Sequence, residues 1–307
     1  MKTTAVTFED LAKSVIAVPP LARNADFSLN MAANAKVVKH LEAGGVRSLM
    51  YGGNANFYNI SLKDFAVALD GLEEQAGPDT WVLPAIGPDF GKMMDQADIL
   101  RSRKFPTAMV LPLVFPATPA GAEIGIRKVV ERFGKPVTVY VKSETYLTPE
   151  GVGRLVNDGV VSSIKYAIVR DDPAKDAFLT KLCDLIDKRF IVSGIGERPA
   201  VIHFRDFGLS SFTSGSISVA PRGTTAMLKA LTKKDWATAE KIRAAYLPLE
   251  DLRDSISPIR VLHDAVTFAG IADMGPMLPL LTRLDEKDRP AVEKAAKELF
   301  AKDKAWS

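Results

Sequence analysis

Residues 160–169 read Val160-Val161-Ser162-Ser163-Ile164-Lys165-Tyr166-Ala167-Ile168-Val169. The run is rich in β-branched residues and holds one charge, so it reads as a strand buried on both faces, as in parallel sheets covered by helices. Strand alternation puts Val161, Ser163 and Lys165 on one face and Ser162, Ile164 and Tyr166 on the other. The exception in the run is the amine. Many strand lysines end a strand and reach out to water. One held among apolar neighbours loses solvation, which lowers its pKa and leaves free amine near neutral pH, the state a nucleophilic lysine needs.

Similar runs recur outward from this one: Ser14 to Val18, Ser48 to Tyr51, Val82 to Ile86, Ala108 to Leu111, Val137 to Val141, Phe190 to Ser193 and Ser211 to Thr213. Helix-length amphipathic stretches lie between them, among them Met31 to Glu42, Leu62 to Glu74, Gly91 to Ser102, Ala120 to Arg132 and Ala174 to Ile186. Strand and helix in strict alternation imply parallel strands with helical crossovers. Eight such units predict a closed (β/α)₈ TIM barrel. The rival, an open doubly wound sheet, normally carries a glycine-rich nucleotide turn. The one candidate, Ser193-Gly194-Ile195-Gly196-Glu197-Arg198-Pro199, has Pro199 in place of the third glycine and is rejected.

After Pro221 the pattern is helical only, with stretches Thr224 to Leu231, Trp236 to Tyr246, Ile259 to Phe268 and Arg289 to Ala301, punctuated by Pro248, Pro258 and Pro276. The expected division is therefore a barrel over 1–232 and a C-terminal helical bundle over 233–307.

The 307 residues are 47% hydrophobic and 25% charged, an ordinary globular composition. Forty basic residues against 37 acidic ones, well mixed, give a net charge of +3, so no nucleic-acid partner is expected. Cys183 is the only cysteine, which excludes an internal disulfide and fits a reducing cytoplasm. No run approaches the roughly 20 apolar residues of a membrane span and the first ten residues carry acids, so neither membrane insertion nor secretion is expected. His40, His203 and His263 are scattered and show no ligand spacing, so no metal or cofactor is expected.

The same alternation turns Thr138 and Tyr140 inward on the fifth strand, next to Lys165 on the sixth and near the carboxyl ends, where barrels of this kind carry their chemistry. Imine formation requires protons to move on and off oxygen, and a phenol can carry them. The alternative for Tyr140 is a core tyrosine bonded to backbone. In the loop after the second strand, Tyr51-Gly52-Gly53-Asn54-Ala55-Asn56-Phe57-Tyr58, adjacent glycines let backbone N–H groups approach a carboxylate, although Gly-Gly-Asn is also ordinary turn chemistry.

These motifs resemble the dihydrodipicolinate synthase and N-acetylneuraminate lyase family, barrel enzymes that form a Schiff base with pyruvate or a related 2-oxo acid. Ser163-Ile164-Lys165 is similar to the family's Gly-Ile-Lys strand and Val139-Tyr140 to its Leu-Tyr strand. Residues Gly52 to Tyr58 fall at its carboxylate-binding loop, and Val192-Ser193-Gly194 and Gly215-Ser216-Ile217-Ser218 at its seventh- and eighth-strand motifs. Ser257-Pro258-Ile259 and Pro279-Leu280-Leu281 match its later Asn-Pro-Ile and Leu-Pro-Leu segments. The resemblance implies a lyase or aldolase in which Lys165 forms the imine, Tyr140 shuttles the proton, and Gly53, Asn54 and Ile217 contact the 2-oxo acid. It also implies a homo-oligomer, a dimer or tetramer.

The departures are specific. Gly53 and Asn54 replace paired hydroxyl residues, and Asn56 a glutamate. Pro112-Leu113-Val114-Phe115 lacks the tyrosine that synthases lend to a neighbouring subunit. Val141-Lys142-Ser143-Glu144-Thr145 lacks the arginine that binds their dicarboxylate. A true dihydrodipicolinate synthase is therefore not expected. A Schiff-base dehydratase of a sugar-derived oxo acid, or a degenerate barrel that only binds an oxo acid, are the alternatives. Lys142, Glu144 and Glu197 are candidates for the distal part of the substrate or plain rim charges.

Overall fold

The structure, a computed structural model, describes residues 1–306. Helix α1 (Phe8–Lys13) precedes β1 (Ile16–Ala17), and crossovers then alternate: α2 (Met31–Ala43), β2 (Ser48–Tyr51), α3 (Leu62–Gln75), β3 (Trp81–Ile86), α4 (Phe90–Arg101), β4 (Met109–Val110), α5 (Pro119–Phe133), β5 (Val137–Val141), α6 (Pro149–Asn157), β6 (Val161–Tyr166), α7 (Ala177–Leu185), β7 (Ile191–Ser193), α8 (Glu197–Asp206), β8 (Thr213–Ser214) and α9 (Pro221–Thr232). Each strand pairs in parallel with its sequence neighbours, and β8 pairs with β1. A bridge between Ser193 and Phe212, with Ser193 N–H donating to the Ser211 carbonyl at 3.0 Å, joins β7 to β8 and closes the ring. The (β/α)₈ barrel read from the sequence is the fold.

Several helices begin where a short polar side chain accepts an N–H of the first turn, as Asn30, Ser61, Asp89, Thr118, Thr148 and Asp176 do. Each such cap contributes about 1 kcal/mol and fixes where the crossover starts. Helix α1 lies at the amino ends of the strands: Phe8 packs edge-on against Phe190, just before β7, at 4.7 Å, and Ser211 Oγ donates to the Leu11 carbonyl. The carboxyl ends are left for the long loops.

Beyond the barrel run α10 (Trp236–Ser255), α11 (Pro258–Phe268) and α12 (Arg289–Asp303). The sequence expectation that Pro248 punctuates this region fails, because α10 continues through it. A proline inside a helix costs about 3 kcal/mol. The turns beyond it bury Leu249, Glu250 and Arg253, and that packing outweighs the lost hydrogen bond. Helix α10 packs along α8 and α9, while Asp303 at the end of α12 accepts the N–H groups of Arg222 and Gly223 at 2.8 and 3.0 Å, and Trp306 stacks on Tyr246. Among the described residues no helix is long and apolar enough to cross a membrane.

Candidate active site

Strands β5 and β6 pair with Thr138 opposite Ser163 and Tyr140 opposite Lys165, after a register shift between Val137 and Thr138. The inward alternation expected from sequence therefore holds at this level: Thr138 and Ser163 share a hydroxyl hydrogen bond at 2.7 Å, and one layer further along, Lys165 Nζ lies over the Tyr140 ring, 4.5 Å from its centre. On the outward face Tyr166 donates to Asp176 at 2.5 Å, a bond that Arg170 reinforces from the other carboxylate oxygen at 3.0 Å.

Lys165 is 5% exposed. Burial lowers its pKa from 10.5 to about 7, and the cations of Lys142 and Arg253 push in the same direction. A shift of that size disfavours the ammonium by on the order of 5 kcal/mol, whereas a cation over an aromatic face returns only about 1–2 kcal/mol. Desolvation wins. Roughly half of the amine is then free at pH 7, against about one part in several thousand for an ordinary lysine. Burial raises the Tyr140 hydroxyl well above its ordinary pKa, with the neighbouring Tyr58 adding to the rise. The phenol thus stays protonated at any working pH.

Two glycines make room for this arrangement. A Cβ on Gly194, just past β7, would stand 2.8 Å from Lys165 Cγ and 2.6 Å from the Tyr166 carbonyl, so a larger residue would displace the lysine stem. A Cβ on Gly52 would meet Met109 Cε at 2.6 Å, so the chain leaving β2 passes over the barrel interior only as glycine.

The loop that follows turns tightly, Asn56 N–H donating to the Gly53 carbonyl at 2.9 Å and Phe57 N–H to that of Gly52 at 3.1 Å. Asn54 spends its side chain on the barrel, Nδ2 donating to the Val18 carbonyl beyond β1 at 2.8 Å. The backbone N–H groups of Gly53 and Asn54 make no hydrogen bond within the described residues. Asn56 is buried and reaches the Leu278 carbonyl at 3.4 Å. Ile217 sits buried in a single 3₁₀ turn after β8, its own N–H donating to Ser214 Oγ at 3.0 Å.

The three distal candidates separate. Lys142 is exposed, follows β5 on the face shared with Tyr140, and makes no ion pair among the described residues. Glu144 pairs with Arg170 and is a rim charge. Glu197 is 0% exposed and sits beneath the site, accepting from Ser214 Oγ at 2.6 Å and Thr224 Oγ1 at 2.8 Å. Beside it Glu250, equally enclosed, accepts from Ser216 and pairs with Arg253 at 3.2 Å. Burial, with the second carboxylate nearby, raises Glu197 to about 7. Arg253 in turn donates to the Ile195 carbonyl at 2.9 Å, beside the Gly194 that touches Lys165. Sequence reading missed Arg253 and Tyr58. An arginine in a helix 88 residues further on, and a tyrosine in a turn, carry no local mark of the site they approach.

The family model "Dihydrodipicolinate synthetase family" matches residues 106–299, a stretch that holds Tyr140, Lys165 and Ile217 but not the Gly53 loop. No curated protein matches the chain. Among solved structures, the dihydrodipicolinate synthase of Oceanobacillus iheyensis superposes with a TM-score of 0.84 at 19% identity, over 94% of this chain and 97% of that one. The sialic acid aldolase of Ruminococcus gnavus gives 0.83 at 13% identity over 96% and 100%. A prophage protein of the dihydrodipicolinic acid synthase family from E. coli K12, solved in complex with pyruvate, gives 0.79 at 18% identity over 93% and 98%. The barrel and the match over most of the chain together place this protein in the dihydrodipicolinate synthetase family, a family of class I lyases and aldolases.

Proposed function

We propose that Lys165 forms an imine with pyruvate or a related 2-oxo acid, and that the protonated imine serves as the electron sink for cleaving or making a C–C bond. The observation that carries the reading is the amine itself, enclosed at the carboxyl end of β6 with a pKa near 7 and lying over Tyr140. The nitrogen lone pair attacks the ketone carbon while the carbonyl electrons move to oxygen, which takes a proton from Tyr140. One nitrogen proton passes to the Tyr140 phenolate, which hands it to the new hydroxyl; the C–O bond breaks, water leaves, and the nitrogen lone pair closes the protonated C=N bond.

Gly53 and Asn54 hold the substrate carboxylate through their unengaged N–H groups, and the Asn54 side chain fixes the loop to β1. Ile217 contributes its side chain, since its N–H is taken by Ser214. The helices after residue 232 serve as an appendage of the barrel. A dimer or tetramer is supported by the exposed apolar residues Val114 and Phe115 in the loop after β4 and Ile124 in the helix that follows it, Phe115 at 86%.

The test needs no knowledge of the second substrate. An imine of pyruvate equilibrates with its enamine, so in D₂O the methyl protons exchange, which proton NMR follows directly. Exchange by the wild type that is abolished in Lys165→Met is the expected result; equal exchange by both proteins would overturn the assignment.

A further inference from the structure

The segment Gly194-Ile195-Gly196-Glu197, rejected above as a nucleotide turn, lies between Lys165 and α10. At one end Gly194 touches the lysine stem. At the other, a Cβ on Gly196, whose φ is 93°, would stand 2.8 Å from Glu250 Oε2 and 3.2 Å from Arg253 Nη1. Between the two, the Ile195 carbonyl accepts from Arg253 Nη2 at 2.9 Å. The turn that backs the amine therefore rests on two enclosed side chains of α10, Glu250 at 0% and Arg253 at 7% exposed.

The same carboxylate reaches the next loop. Ser216 Oγ, in the 3₁₀ turn that carries Ile217, donates to Glu250 Oε1, while Glu250 Oε2 lies 3.2 Å from the Arg253 nitrogen that holds Ile195. Glu250 thus bridges the loops after β7 and β8 with its two oxygens. The β8 turn also meets the Gly53 loop, since a Cβ on Gly215 would stand 2.8 Å from Asn54 Nδ2. Glu197 differs from Glu250 in its reach: it takes the hydroxyls of Ser214 and Thr224, both on the β8 and α9 side. An enclosed ion pair adds little net stability over apolar residues of the same size, because desolvation offsets the attraction. What this pair supplies is geometry.

We propose that Glu250 is a positioning residue of the imine chemistry: it sets the Ile217 turn through Ser216, and the Lys165 stem through Arg253, Ile195 and Gly194. The proposal rests on the Schiff-base reading above. Its two arms act on different quantities. The Ser216 arm shapes the subsite that pyruvate enters and so governs binding. The Arg253 arm aims the amine at the bound ketone and so governs the rate of attack, which misplacement by about 1 Å lowers by on the order of a hundredfold.

The test is single-turnover imine formation over a range of pyruvate concentrations at pH 9, where the wild-type amine is free, stopped by borohydride and read as adduct mass. Ser216→Ala is expected to raise the half-saturating pyruvate concentration about tenfold, since it removes a hydrogen bond to a charged group, with the saturating rate kept. Glu250→Gln keeps the shape and an oxygen for Ser216 but loses the charge that Arg253 pairs with. Its saturating rate is expected to fall about tenfold or more, with half-saturation kept, and Arg253→Lys, which keeps the cation without the planar fork, is expected to do the same. The final adduct yield counts folded sites and separates lost protein from lost positioning. A lower yield with wild-type rate and half-saturation in both Ser216→Ala and Glu250→Gln overturns the proposal and leaves the pair a brace between α10 and the barrel. A wild type that forms no adduct with any 2-oxo acid overturns the Schiff-base reading and the positioning role with it.

Discussion

The chemistry turns on how one nitrogen is solvated. Lys165 is the residue the sequence marks most plainly, a lone charge inside a β-branched run, and parity alone brought Tyr140 to its side. What parity could not supply is the surrounding field, because Lys142 and Arg253 approach from different elements. That field has a measurable sign. Below pH 7 the amine is charged, so the imine formation rate is expected to rise about tenfold per pH unit up to pH 7 and to level off above it. Removing a cation that lowers the pKa must raise it. Lys142→Gln is therefore expected to move this acid limb to higher pH, by about half a unit or less since Lys142 is exposed and screened; a limb that stays put or moves down would contradict the electrostatic account.

Among elements, the periodicities that define the eight strands and most crossovers were legible, since each is a local pattern of buried residues. The register shift at Val137 and the passage of α10 through Pro248 were not, because both are decided by what packs against them. The pair Glu197 and Glu250 belongs to this scale too. It lies where α8, α9 and α10 meet, each carboxylate keeping one oxygen without a hydrogen bond. A rim position for Glu197 was one reading of the sequence; only the packing of three helices reveals that it is enclosed. The folded chain holds the Glu197 proton up to about pH 7, whereas the unfolded chain releases it near 4.5, so stability falls as pH rises across that window. Glu197→Gln keeps a group that Ser214 and Thr224 can bond and cannot ionise. Its Tm is expected to match the wild type near pH 4.5 and to exceed it at pH 8 by roughly 2 °C or more. A lower Tm at both pH values would show instead that the carboxylate is favoured there.

At the scale of the whole molecule, closure of the ring puts every long loop on one end, and the site is assembled from β2, β5, β6, β8 and a helix beyond the barrel. That last contribution explains why residues 233–307 were legible as helices and not as part of the site. The exposed Phe115 loop lies at the same end, beside the cavity that Tyr146 lines. If this surface joins copies of the chain, light scattering is expected to give a dimer or tetramer for the wild type and a smaller species for Phe115→Glu; a wild-type monomer would contradict the assignment.

The most direct test of the central claim is chemical. The protein is incubated with pyruvate, reduced with borohydride and digested, and the peptides are weighed. The expected result is an added mass on the peptide containing Lys165, absent without pyruvate. Failure of the Lys165 peptide to gain mass with any of a panel of 2-oxo acids, or an adduct on another lysine alone, would contradict the account.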